Sequence, residues 1–257
     1  MSSARHSSAS PSHYDFDARH YDAFNERNSA VINRTIERAL RKHDVRTVLD
    51  LTCGTGSQAF WLARRGFQVT GVDINERMLS HAKRKAKALK FPVTLDKGDM
   101  RTAKVGAFDA VITISSSVGH LTRADFAKAI RNIRHNLKSR GLYLFDIFNR
   151  SCLARDGNIS RLTIDWAKSV GNLGIRYIQY STIDGDGVLA SYTTFMSERG
   201  THPPRVSRSA QTLQTYSPAD LKGLLRRNGF EVVRQYGPDG SKLDATSEQI
   251  LTIARKR

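Results

Sequence analysis

The chain is 257 residues long, with 39% apolar and 25% charged side chains, so it is long enough to bury a core and too apolar to be disordered. No apolar run approaches the ~18 residues of a membrane span. Two cysteines, Cys53 and Cys152, are too few for a disulfide scaffold, and no Cys/His grouping has zinc spacing, so no metal site is expected. The formal net charge is +17, and all of the excess follows residue 40, because the first forty residues hold five basic and five acidic side chains. A field of this sign draws nucleic acid, phosphorylated metabolites or acidic lipid, and it also serves plain solubility.

Residues 1–13 (MSSARHSSASPSH) hold six serines, no acid and no apolar h-region. They read as a flexible tail rather than a secretory signal, and a cytoplasmic location is expected. From Phe24 to Leu40 the apolar positions Phe24, Val31, Ile32, Ile36, Ala39 and Leu40 have helical spacing. VRTVLDL (45–51) is an apolar run that predicts a buried strand. It enters the turn TCGTGS and a helix, QAFWLARR, closed by Gly66. FQVTGVD (67–73) predicts a second strand and NERMLSHAKRKAKAL a second helix, with Met78, Leu79, Ala82, Ala86 and Leu89 inward. PVTLDKGD (92–99) and FDAVITI (108–114) predict the third and fourth strands. Thr122 caps the next helix, whose inner face is Phe126, Ile130, Ile133 and Leu137, and Gly141 opens a fifth strand, LYLFDIF. Strands alternating with helices mean a parallel sheet covered on both faces.

The rhythm changes after Asn149. Residues 161–215 are rich in Thr, Ser, Tyr and Ile, and Gly185-Asp186-Gly187 reads as a hairpin turn between IRYIQYSTI and VLASYTTF, so an antiparallel insertion is expected. Helical grammar then returns. Ser217 caps, Pro218 sits at N1, Asp220 lies in the first turn and Gly229 ends the helix, before two closing strands, FEVVRQY and SEQILTIAR.

The chemistry concentrates in VLDLTCGTGSQA (48–59). Gly54, Gly56 and Ala59 fit a loose G-x-G-x-x-A turn, where a backbone without side chains and the N–H groups of a helix start can approach a ligand. Alone, such a turn has a plain structural alternative. Three acids at neighbouring strand ends sharpen it. Asp50 would repel a pyrophosphate but suits an ammonium. Asp73 ends strand two, where a carboxylate accepts both hydroxyls of a ribose. Asp99 can take an adenine amino hydrogen while Met100 packs on the ring.

VLDLTCGTG, VTGVDINERML, KGDMR and FDAVITISSSVGHL together resemble the class I S-adenosylmethionine-dependent methyltransferases over roughly residues 45–150, and 218–257 fits the closing helix and strands of that fold. The resemblance implies an α/β fold, a doubly wound seven-stranded Rossmann-like sheet with an antiparallel β insertion before the last helix. Residues 14–149 and 216–257 would form the cofactor domain, and 150–215 a substrate lid or oligomer surface. It implies that Cys53, Gly54, Thr55 and Gly56 hold the methionine part of S-adenosyl-L-methionine, with Asp50 near its amino end. Asp73 would bind the ribose, Ile74 the adenine face, Asp99 and Met100 the adenine, and Ser115 would border the methionine. Met78 is counted with these. Cys53 reads as packing and not as a nucleophile, since nothing activates it.

SSSVGHL looks like the corresponding segment of small-molecule N-methyltransferases that act on amino sugars, and more loosely of glycine methyltransferases. Tyr21-Asp22 matches their N-terminal YD segment, and Arg27 could reach the cofactor carboxylate. The basic insertion does not match residue by residue, so the acceptor does not transfer. The expected activity is in-line methyl transfer to a small-molecule acceptor, an amine nitrogen before oxygen or carbon, with S-adenosyl-L-homocysteine as product. His120 is the candidate base, with substrate hydrogen bonding or helix capping as the plain alternative. Tyr21 is a cofactor lid or acceptor-orienting hydroxyl, with a hydrophobic staple as its alternative. Three other classes stay open: an RNA methyltransferase, favoured by the basic stretches 81–90 and 123–140; a nicotinamide-dependent oxidoreductase, opposed by Asp50 and Asp99; and a non-enzymatic binding module. The expected partners are a small-molecule acceptor, nucleic acid if the charge serves it, and a second copy of the chain.

Overall fold

A computed structural model describes residues 6–12, 21–90, 92–154, 164–170 and 172–257, without the side chains of 21–28, 164, 166, 168 and 170. Helix α1 (Tyr21–Lys42) leads into strand β1 (Thr47–Asp50), whose three last residues are buried. The βα alternation follows: α2 (Ser57–Ala63), β2 (Gln68–Asp73), α3 (Glu76–Leu89), β3 (Val93–Lys97), β4 (Phe108–Thr113), a 3-10 turn (Ser117–His120), α4 (Arg123–His135) and β5 (Leu137–Phe148). After a short helix, α5 (Arg150–Leu153), come β6 (Ile164–Val170), β7 (Leu173–Ile183), β8 (Val188–Arg199) and β9 (Arg205–Gln214), and then α6 (Pro218–Arg227), β10 (Phe230–Tyr236) and β11 (Gln249–Lys256).

The main sheet has seven strands in the order β10-β11-β5-β4-β1-β2-β3. Strands β1 to β5 pair in parallel, while β11 is antiparallel to both its neighbours. Two apolar layers hold helices to its faces. Ile32, Ile36 and Leu40 of α1 pack with Val48, Ile112, Leu144 and Leu251 on one face, and Phe126, Ile130 and Ile133 of α4 pack with Leu49, Val111 and Phe145 on the other. The strand order reverses between β4 and β1, which opens a crevice at their carboxyl ends. Strands β6–β9 form a separate four-stranded antiparallel sheet in sequence order, with the expected hairpin turn ending at Gly187, whose φ is 77°. At the start of α6, Ser217 and Asp220 form the reciprocal capping box. No described helix is long and apolar enough to cross a membrane.

Two expectations meet a different arrangement. Leu137 is buried but opens β5 rather than closing α4. Asn136 ends the helix: its Nδ2 donates to Asn132 and Ala103 carbonyls, and its Oδ1 accepts from the amides of Val105 and Gly106. Residues 6–12 of the Ser-rich segment are bonded to the domain. His6 meets Thr212 Oγ1 at 2.8 Å and the Leu121 carbonyl at 3.0 Å, Ser8 Oγ donates to Asp125 at 2.6 Å, Ala9 N donates to the His120 carbonyl, and Asn75 Nδ2 donates to the Pro11 carbonyl. The segment therefore runs from the start of α4 to the start of α3, across the crevice edge.

Candidate active site

The turn after β1 is built for close approach. Gly54 and Gly56 have φ of 51° and 91°, and Gly56 is the N-cap of α2. A Cβ on Gly56 would stand 2.3 Å from the Phe60 ring, and Phe60 is itself buried. Gly56→Ala therefore combines left-handed strain of ~1–2 kcal/mol with overpacking of ~1–3 kcal/mol. The expected result is a urea midpoint lowered by a stability loss of about 2–5 kcal/mol, and an unchanged midpoint would contradict this geometry.

Asp73, at the end of β2, organises that turn. Its Oδ2 accepts from Gly54 N at 2.7 Å and its Oδ1 from Asn75 N at 2.8 Å. Burial raises its pKa against these hydrogen bonds. Asp50 ends β1 and is 1% exposed. Its Oδ1 accepts from Thr52 N at 3.2 Å, while its Oδ2 is buried with no hydrogen-bond partner. Burial first, and the neighbouring Asp73 charge in addition, push its pKa up to about 7. A buried carboxylate oxygen left without a donor asks for a cationic one. Cys53 lies between them, packed with Phe60, Leu79, Ala82 and Leu95, and burial together with the Asp50 and Asp73 charges raises its thiol pKa well above the ordinary value. That fits packing and not nucleophilic attack. Thr55 is buried within the turn, Ile74 is half-buried beside Asp73, and Met78 lies beneath the turn, its Cε 3.4 Å from where a Gly54 Cβ would stand.

Asp99 follows β3, next to β2 in the sheet, so the three acids share one edge. Arg101 grips it through Nε at 2.9 Å and Nη2 at 2.6 Å, and also donates to Asp125 at 2.8 Å. Burial opposes the Asp99 charge, but these hydrogen bonds outweigh it and hold the carboxyl below its usual value. Met100 is half-buried against the α4 layer, and its carbonyl accepts from Asn132. Ser115 is exposed and Ser116 buried just past β4, both with positive φ (63° and 53°). His120 ends the 3-10 turn, half-buried. Tyr21 and Arg27 lie in α1 and their side chains are outside the described residues.

Sequence reasoning missed Arg101, which stands two residues from Asp99 in KGDMR and whose second partner, Asp125, comes from the first turn of α4. It also missed Asp146, a lone acid inside the apolar strand LYLFDIF, and that isolation was its available signal. A surface cavity of about 320 Å3 lined by His43, Asp109, Lys138, Arg140 and Arg255 lies at the opposite, amino-terminal edge of the strands and takes no part in this site.

Residues 48–141 match a family model described as a methyltransferase domain. Glycine N-methyltransferase of Oryctolagus cuniculus is 34% identical over 158 residues, which cover 51% of this chain and 53% of that protein. The chain thus spans about half the length of the curated relatives it matches. Among solved structures, an S-adenosylmethionine-dependent methyltransferase from Clostridium acetobutylicum superposes with a TM-score of 0.79 at 18% identity, covering 95% of this chain and 98% of that one. The sugar N-methyltransferase KedS8 from Streptoalloteichus superposes with a TM-score of 0.78 at 20% identity, covering 100% and 98%. The chain has the fold of these enzymes.

Proposed function

We infer that this chain, a class I methyltransferase by its fold and by its match over residues 48–141, transfers a methyl group from S-adenosyl-L-methionine to the amine nitrogen of a small molecule. The observation that carries this reading is the buried, unpartnered Oδ2 of Asp50 beside the glycine turn that Asp73 holds. That acceptor fits the ammonium of an amino-acid cofactor and repels the pyrophosphate of a dinucleotide. Asp73 would receive the ribose hydroxyls, Ile74 and Met100 would flank the adenine, and Asp99 would accept its amino hydrogen. Tyr21 and Arg27, on α1, would close over the methionine end. The names of the relatives, glycine and sugar N-methyltransferases, favour nitrogen as the methylated atom.

When bound, the cofactor supplies a methyl made electrophilic by its sulfonium. The chain's part is proximity and alignment, which contribute up to ~7–11 kcal/mol in favourable cases. With the cofactor bound, the acceptor nitrogen would have to shed a proton before its lone pair could take the methyl from sulfur, which would keep the electrons of the broken C–S bond. His120, after β4 at the crevice mouth, receives that proton. General-base catalysis contributes typically ~10²–10⁴-fold. His120→Asn is thus expected to lower kcat by at least about 100-fold with S-adenosylhomocysteine affinity within about threefold of wild type. Unchanged turnover would remove His120 from the mechanism. Calorimetric titration tests the cofactor itself: S-adenosylhomocysteine should bind and NADH should not, and tighter NADH binding would overturn the assignment. Residues 150–215 serve as acceptor lid or dimer surface; Tyr180 and Tyr192, opposite each other on β7 and β8 and each half exposed, offer the apolar patch.

A further inference from the structure

Asp146 is a second buried carboxylate, and one of its two oxygens is used by no hydrogen bond of the fold. It lies near the carboxyl end of β5 and is 1% exposed. Its Oδ2 accepts from Ser116 N at 3.0 Å and Ser116 Oγ at 3.2 Å, and the Ser115 amide also points to the carboxylate. Its Oδ1 is buried and has no hydrogen-bond partner. Burial pushes its pKa up to about 6 despite these donors.

Its place in the sheet gives the orphaned oxygen a meaning. Asp146 stands opposite Leu251 on β11, and Asp50 opposite Ile112 on β4; both partners belong to the apolar layer under α1. The two carboxylates therefore face the same side of the sheet, on β1 and β5, with β4 between them. Ile112 is in register with Leu144, so Asp146 lies two strands across and two residues further along. That separates the Cα atoms by about 12 Å. Between them the chain past β4 turns through Ser115 and Ser116, two consecutive left-handed residues that Asp146 itself holds. Strain of this kind persists where surrounding groups enforce it, and it collects at ligand sites. Asp50 stands next to the glycine turn and Asp146 next to the Ser115–Ser116 turn, at the carboxyl ends of β1 and β5.

We propose that Asp146 Oδ1 binds the acceptor as an ammonium, so that the acceptor is a small primary or secondary amine that arrives as a cation. This rests on the methyltransferase reading above and adds the charge state and class of the second substrate. An anionic acceptor, or a neutral hydroxyl, would leave a buried charge without a countercharge. The +17 field of the whole chain repels such a cation at long range, so the local carboxylate has to supply the attraction.

The test uses the full chain with S-adenosylhomocysteine bound and methylammonium as probe, the smallest ligand that carries the group. Saturation-transfer NMR should show methylammonium bound to wild type and methanol, its neutral isostere, not bound. Asp146→Asn keeps a carbonyl acceptor for Ser116 and should bind S-adenosylhomocysteine within about threefold of wild type while losing methylammonium by at least about tenfold. Its melting temperature at pH 7.5 should equal or exceed that of wild type. The folded-state pKa lies above the unfolded value, so the wild-type carboxylate costs stability as pH rises from about 4 through about 6, and the amide does not. Equal methylammonium binding in the two proteins, or none in wild type, overturns the proposal. A lower melting temperature with methylammonium binding retained assigns Asp146 to holding the Ser116 turn alone. Failure of wild type to bind S-adenosylhomocysteine defeats the methyltransferase reading itself, which a loss confined to Asp146→Asn does not.

Discussion

Replacing Asp73 by alanine is expected to weaken S-adenosylhomocysteine binding by two orders of magnitude or more. Each carboxylate oxygen of Asp73 already accepts one backbone N–H, from Gly54 and from Asn75. The Ile74 amide also faces this carboxylate, and the acceptor capacity that remains on one rigid group suits the hydroxyls of a ribose. Hydrogen bonds to a charged group contribute ~1.5–3 kcal/mol each. Losing two gives about 3–6 kcal/mol, a factor of roughly 10²–10⁴ in affinity. The same substitution releases Gly54 N, so part of the loss comes from a loosened turn. Asp73→Asn separates the two contributions, because its carbonyl oxygen can still accept from Gly54 while the charge and one acceptor are gone. Calorimetry on both variants is the check. Affinity within threefold of wild type for the alanine variant would mean that the ribose does not lie at the end of β2.

Asp50 gives the second large effect, and its signature is pH. In the free protein its pKa stands at about 7, because burial and the nearby Asp73 disfavour the charge. A bound ammonium favours the charge and returns the pKa downward, so binding releases a proton wherever free Asp50 is protonated. Affinity should therefore fall by roughly tenfold between pH 7.5 and pH 6, where the α-amino group of the ligand stays largely protonated. Asp50→Asn should bind at least about tenfold more weakly at pH 7.5 and lose this pH dependence. The sign for stability is opposite. The folded-state pKa lies above the unfolded value, so the free protein loses stability as pH rises from about 4 through about 7, and the asparagine variant does not. A wild-type affinity that is flat over this range would show that no cation meets Asp50.

The strands of the main sheet were legible because parallel strands buried on both faces read as short apolar runs: VRTVLDL and FDAVITI contain β1 and β4. The caps at Thr122 and Ser217 were legible because their signal is local, with both partners three residues apart. The acids Asp50, Asp73 and Asp99 were legible as a set because each follows or ends a strand, so topology alone brings them to one edge. What sequence could not reveal were bonds between distant segments. Ser8 meets Asp125 and His6 meets Thr212 across more than a hundred residues, and a polar segment without periodicity carries no mark of its partners. Leu137 fits a helical stripe by spacing, and only Asn136, bonded to four backbone groups of the fold, shows why the helix stops before it. Asp146 sits in an apolar run like Asp50, but without a glycine turn after it the same isolated acid drew no functional reading.

The most direct measurement incubates the purified chain with methyl-labelled S-adenosylmethionine and a cell extract and separates the label into metabolite, RNA and protein fractions. Label should appear in the metabolite fraction, on a compound whose amine has gained a methyl. Label in the RNA fraction, lost on ribonuclease treatment, would contradict a small-amine acceptor and make the +17 charge a substrate footprint.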